Sequence, residues 1–144
     1  MMRVLSLDIG TKKIGIALSS IDQSLIFPVG KIRFDNFKGI VFFEKLKFEL
    51  RSFWEEIGIA IIGKASEGNA ILSQIDQVFR MLKAWTSWDI KFISEDMSSS
   101  DSWFFLKSLK FSSNKAREKL DSYAALIILK DYFDSINKEV LVSF

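Results

Sequence analysis

The chain opens with short apolar runs broken by polar or glycine-bearing turns, and later alternates such runs with stretches of helical spacing. Val4 to Leu7 reads as a buried strand closed by Asp8, and a second apolar run begins at Ile14 after a turn containing Gly10. Two apolar runs separated by such a turn predict a hairpin. Leu25 to Phe34 predicts a third strand, with Pro28 indicating an edge or an irregular start. Asn36 caps an expected helix to about Glu56, with Phe37, Ile40, Val41, Phe48 and Phe53 among its apolar positions. Ile57 to Ile62 is continuously apolar, as a strand covered on both faces should be. A helix over Asn69 to Trp85 places Ile71, Ile75, Val78, Phe79 and Leu82 on one side. Asp89 to Glu95 alternates apolar residues and ends in a carboxylate; serines then flank a short helix from Asp101 to Leu109. Ser112-Ser113-Asn114 opens a last helix running to about Ile136. Three strands followed by strand–helix alternation predict an α/β fold, a mixed sheet with helices on both faces.

Composition narrows the chemistry. At 144 residues, 49% hydrophobic and with 14 Phe, the chain is expected to form a single domain over 1–144 with a substantial core. No apolar run approaches the roughly 18 residues of a membrane span. Asp8 and two lysines interrupt the N-terminus where a signal peptide would be apolar. A cytoplasmic protein without a membrane partner is the expectation. The chain has no Cys and no His, which excludes thiolate nucleophiles, Ser-His-Asp catalysis and imidazole or thiolate metal sites. Chemistry is left to Asp, Glu, Lys, Tyr, Ser and Thr. A metal held by carboxylate oxygens would be Mg²⁺ or Mn²⁺. A net charge of +2 is too small to argue for nucleic acid by itself, so local clustering has to carry that case.

The candidate site starts at Asp8, since aspartate is disfavoured in strands and a buried carboxylate is costly unless paired or bound to a cation. Gly10 allows close backbone approach, Thr11 offers a hydroxyl, and Lys12 and Lys13 suit phosphate. The plainer alternative is an Asp-Ile-Gly turn between strands. Glu95 also ends a predicted strand, where ligands bind in α/β sheets, or it caps the segment that follows. Asp121 lies on the last helix, with Ala124, Ala125, Ile128 and Tyr132 on or near its face; the two alanines would let that helix approach the sheet. Three converging carboxylates repel one another, and a divalent cation is the usual compensation. Lys115, Arg117 and Lys119 crowd the first turns of the same helix, where cations oppose the macrodipole. They read either as a solvated charge run or as a phosphate-facing basic edge.

The runs LDIGTKKIGIALS, SEDMSSS and KLDSYAALIILKDYF, in that order, resemble the YqgF/RuvX family, whose fold is ribonuclease H-like. Members of that family are described as Holliday junction resolvases and as nucleases that mature the precursor of small-subunit ribosomal RNA. The resemblance implies a three-layer α/β/α fold with a mixed five-stranded sheet, its first three strands antiparallel. It also implies metal-dependent hydrolysis of nucleic-acid phosphodiesters, in precursor rRNA or in branched DNA. The family's acidic residues fall on Asp8, Glu95 and Asp121, as both catalytic groups and ligands of Mg²⁺ or Mn²⁺, beside Thr11, Lys12, Lys13, Lys115, Arg117 and Lys119 as nucleic-acid contacts. The chain departs from the pattern at Ser20, where an acid is usual (Asp22 stands two positions later), over Lys64 to Asn69, and at Asp96, where an arginine is usual. These departures leave room for a member that binds RNA without cutting it. The Asp-Ile-Gly-Thr run also resembles the phosphate turn of actin-like kinases, which place ATP between two lobes. A resolvase needs two symmetric sites, so monomer and homodimer both stay open.

Overall fold

The computed structural model of the chain describes residues 1–64, 69–94 and 123–143. Arg3–Ile9 (β1) and Lys13–Ser19 (β2) form the antiparallel hairpin, and Leu25–Arg33 (β3) pairs antiparallel with β2. Ile57–Lys64 (β4) lies parallel to β1, Asp89–Ser94 (β5) parallel to β4, and Leu141–Val142 (β6) parallel to β3. The order is β5-β4-β1-β2-β3-β6, so the expected five-stranded sheet is corrected to six strands. β6 pairs only through Leu25↔Leu141 and Ile26↔Val142, and two residues are too few to show a period in the sequence.

Alternation along each strand sends successive side chains to opposite faces. On one face, Leu5, Leu7, Ile14, Ile16, Leu18 and Ile62 pack with Phe42 and Leu46 of Gly39–Glu49 (α1) and with Ile75, Val78 and Leu82 of Asn69–Trp85 (α2). On the other, Val4, Ala17, Ile26 and Ile61 meet Ala125, Leu126, Leu129 and Phe133 of Tyr123–Ser135 (α3). The expected helices on both faces are present. Burying one of these Leu or Ile side chains is worth about 1.5–3 kcal/mol. A polar clamp ties α3 to the sheet, because the buried Ser6 hydroxyl donates to the Ala125 carbonyl at 2.6 Å.

The helix expected from Asn36 to Glu56 is shorter at both ends. It begins after Lys38, with no side-chain cap, and ends at Leu50 before a 3₁₀ turn over Trp54–Glu56. Aromatic packing overrides the helical spacing here. Trp54 lies 4.7 Å from Trp88 and 5.5 Å from Phe43, while Phe53 sits 6.1 Å from Phe27 with the Arg3 guanidinium 4.5 Å above its ring. Arg3 is held in turn by Glu56 at 3.0 Å and by the Ser19 carbonyl at 3.1 Å. The expected short helix over Asp101–Leu109 and the early part of the last helix lie outside the described residues. No described helix is long and apolar enough to cross a membrane.

Candidate functional site

Asp8 lies one residue inside the end of β1 rather than after it, and the alternation that sends Leu7 and Ile9 to the α1/α2 core sends Asp8 to the α3 face. Its neighbours in the sheet are glycines on both sides, Gly15 on β2 and Gly63 on β4. The row across this face is therefore Ile93, Gly63, Asp8, Gly15, Lys31. Within the sheet, the two glycines beside it carry no side chain, so among the described residues none stands next to the carboxylate in its own row. It is half-buried, and no hydrogen bond or ion pair joins it to any described residue. A partly buried carboxylate with no partner among the described residues is suited to a hard cation or a polarised water.

The turn after β1 is rigid. The Gly10 amide donates to the Lys13 carbonyl at 2.9 Å, Phe34 N–H donates to the Lys12 carbonyl at 3.0 Å, and the Gln74 amide of α2 donates to the Gly10 carbonyl at 2.7 Å. A Cβ on Gly10 would come within 2.7 Å of the Lys13 carbonyl oxygen. The glycine expected to admit a ligand is thus required by the approach of the chain to itself. Thr11, Lys12 and Lys13 are all exposed on this turn, where phosphate can reach them.

Asp22, the acid nearest the family's usual position after the second strand, does different work. Its carboxylate accepts from the Ser20 hydroxyl at 2.7 Å, the Ser24 hydroxyl at 2.7 Å and the Ser24 amide at 3.1 Å. These bonds, the Ser20 hydroxyl first, pull its pKa down to about 2. It also sits at the opposite end of the sheet, since Ser19 meets β1 near Val4. Four strand residues, or about 13 Å, separate that level from Asp8. Asp22 cannot share an ion with Asp8.

Two cations that sequence reading passed over stand on the face of Asp8. Lys31 pairs with Gly15 and Arg33 with Lys13. The β2–β3 register shifts between Ile16 and Ala17, which pair with Gly30 and Pro28 and leave Val29 as the extra residue of a bulge. Gly30 at that bulge has φ +154°, a conformation L side chains rarely adopt. The extra residue reverses the parity of everything after it. Phe27 and Val29 pack on the α1/α2 core, and so would Lys31 and Arg33 in an unbroken strand. The bulge turns them to the α3 face instead. Partial desolvation, then the charges of Arg33 and Lys13, holds the Lys31 ammonium below the ordinary lysine range. The signal in the sequence was the Lys-Ile-Arg alternation directly after Gly30.

Glu95, Asp121, Lys115, Arg117 and Lys119 lie outside the described residues, as do the departures at 65–68 and at Asp96. Among the described residues, no group of three or more acidic or other metal-ligating side chains comes together. Asp8 is thus the one expected ligand among the described residues, and a half-buried carboxylate with no partner among them fits a hard cation.

A mixed sheet with antiparallel β1–β3, parallel β4 and β5, and helices on both faces is ribonuclease H-like. Two solved resolvases share it: Thermus thermophilus RuvC in complex with a Holliday junction substrate and the fowlpox virus Holliday junction resolvase. The first superimposes with a TM-score of 0.57 at 8% identity, covering 94% of this chain and 96% of RuvC. The second gives a TM-score of 0.56 at 16% identity, covering 93% and 99%. The profile of the RuvX family, described as Holliday junction resolvase, matches residues 2–135, and the chain belongs to that family. Curated relatives carry the name "Putative pre-16S rRNA nuclease". The one from Mycoplasmopsis pulmonis is 29% identical over 141 residues, covering 93% of this chain and 94% of the relative. The one from Campylobacter jejuni subsp. doylei is 32% identical over 138 residues, covering 94% and 99%.

Proposed function

We propose that the chain is a nuclease that hydrolyses phosphodiester bonds with a divalent metal, acting on the precursor of small-subunit ribosomal RNA. The observation that carries this is Asp8, a half-buried carboxylate with no partner among the described residues, set between two glycines on a sheet face that also carries Lys13, Lys31 and Arg33. Such an arrangement suits a cation and a phosphate together. Family membership and the names of the relatives support the same reading. Glu95, directly after the end of β5, and Asp121, two residues before Tyr123, complete the proposed ligand set. Ile93 packs on the α3 face in the row of Asp8, and Ala125 bonds Ser6 two residues along β1 from it. Glu95 follows Ile93 by two residues in the chain, and Asp121 precedes Ala125 by four. Asp8, Glu95 and Asp121 would hold Mg²⁺ or Mn²⁺, which would supply an activated water and charge compensation at the leaving oxygen. The protein's part is to fix Asp8 in the sheet, between two glycines, and to hold the backbone with the lysines of the first turn. The absence of His is no obstacle, because a metal-bound water needs no imidazole base.

The test is cleavage of a labelled RNA carrying the end of a small-subunit rRNA with its precursor extension. Cuts that require Mg²⁺ or Mn²⁺ and vanish in Asp8→Asn are expected. Intact RNA with folded protein and either ion would favour a binding module that does not cut. The family's description favours a second substrate, the four-way DNA junction. Paired symmetric cuts in a junction by a protein that sediments as a dimer would support that reading, and a monomer in solution would oppose it.

A further inference from the structure

Within the nuclease reading, on which this inference rests, the scissile phosphate belongs beside Asp8. The flanking phosphates have no assigned holder among the described residues beyond the first turn. We propose that Lys31 and Arg33, together with Lys13, form the seat for a flanking phosphate of the nucleic-acid strand, displaced along the row from Asp8. Lys31 stands two strands from Asp8, about 10 Å, with only Gly15 between them on this face. That spacing sets the cations one glycine position beyond the bond to be cut. Lys13 and Arg33 occupy the next row outward, directly paired across β2 and β3. The three cations lie close enough for Arg33 and Lys13 to lower the Lys31 pKa, after desolvation. The groove between β3 and α1, which Lys31 and Arg33 also border, carries Glu44 and Glu49 as well as Lys45. Those carboxylates repel phosphate, so the backbone is favoured on the sheet side and not in the groove.

The bulge at Val29 is the device that makes this seat. It orients two cations that the strand's ordinary parity would bury against an apolar core. Phosphate contacts of this kind position a strand and carry no base information. RNA and DNA backbones should therefore both feel them.

The test is binding in metal-free buffer, measured by fluorescence anisotropy with two probes, a labelled single-stranded RNA and a labelled four-way DNA junction. Lys31→Ala/Arg33→Ala is compared with wild type and with Lys45→Ala/Lys83→Ala, which removes the same charge from exposed positions on α1 and α2. The seat predicts that the Lys31/Arg33 pair weakens binding about tenfold or more and flattens the salt slope by roughly 1.4–1.8 between about 50 and 200 mM salt. The control pair should stay near wild type, and Arg33→Lys should keep most of the affinity. Equal melting temperatures separate this from unfolding. If the Lys31/Arg33 pair binds with the affinity and slope of the control pair, or wild type binds neither probe, the seat is overturned. Cleavage assays keep the two readings apart. A wild type that binds through the seat but cuts nothing under Mg²⁺ or Mn²⁺ sinks the nuclease and leaves the seat. A wild type that cuts, with the variant binding unchanged, does the reverse.

Discussion

The two ends of the β1–β2–β3 sheet each carry an aspartate, and the two are treated in opposite ways. At one end Asp22 accepts three hydrogen bonds from Ser20 and Ser24 within its own turn. At the other Asp8 accepts none from any described residue, and glycines replace the side chains that would crowd it. A carboxylate that serves the fold is satisfied by its neighbours, because an unsatisfied one costs stability. A carboxylate left without a described partner between two glycines costs the fold something and suits an outside ligand. The contrast separates two acids that look alike in sequence, each close to where the family places one.

The largest effect should come from the open end. Asp8→Asn is expected to cut turnover by roughly 10²–10³-fold or more, while the melting temperature in metal-free buffer holds or rises slightly. Asp22→Asn should leave turnover intact. Loss of turnover in both, or unfolding of Asp8→Asn, would erase the distinction. Next in size is the metal response. Saturating Mg²⁺ or Mn²⁺, at ~100 times Kd, should stabilise wild type by about 2.7 kcal/mol, read as a gain of several degrees by calorimetry. Asp22→Asn should keep that gain and Asp8→Asn should lose most of it. Gly10→Ala comes third. A methyl group 2.7 Å from the Lys13 carbonyl forces the turn to shift, and chemical denaturation should show a loss of about 1–3 kcal/mol with the metal response weakened. The smallest effect belongs to the closed end. The folded pKa of Asp22 is depressed to about 2 from an ordinary 3.8. Its contribution to stability is therefore present above 3.8 and lost as pH falls toward 2. Thermal melts of wild type and Asp22→Asn should differ slightly at neutral pH and converge in that acid window. A difference that persists at the acid end would mean the turn is held by something other than the charge.

What was legible in the chain followed from period and length. The Asn69–Trp85 helix was bounded correctly because its apolar face repeats over many turns, and β4 was found because a continuous apolar run admits little else, though it extends past Ile62 to Lys64. Asp8 stood out because its residue type conflicts with its place in a strand. The errors arose where distant contacts decide. Nothing local marks Leu50 as a helix end; Trp54 and Phe53 leave the helix to reach Trp88 and Phe27. Lys31 and Arg33 were missed because their face depends on one extra residue in β3, and a bulge is visible only against the partner strand. Lys115, Arg117 and Lys119 drew attention because they crowd together in the chain, whereas Lys13, Lys31 and Arg33 are gathered by pairing.

The hydroxyl bond from Ser6 to the Ala125 carbonyl joins residues 119 apart in the chain. During synthesis at about 5–20 residues per second, Ala125 leaves the ribosome ~6–24 s after Ser6. The hairpin carrying Asp8 closes over a few residues and can form soon after it emerges, whereas α3 closes a loop of 119 residues and docks much later. The hairpin is thus in place long before α3 can dock on its face. A chain caught between those two moments carries Asp8 on a sheet face that α3 does not yet cover.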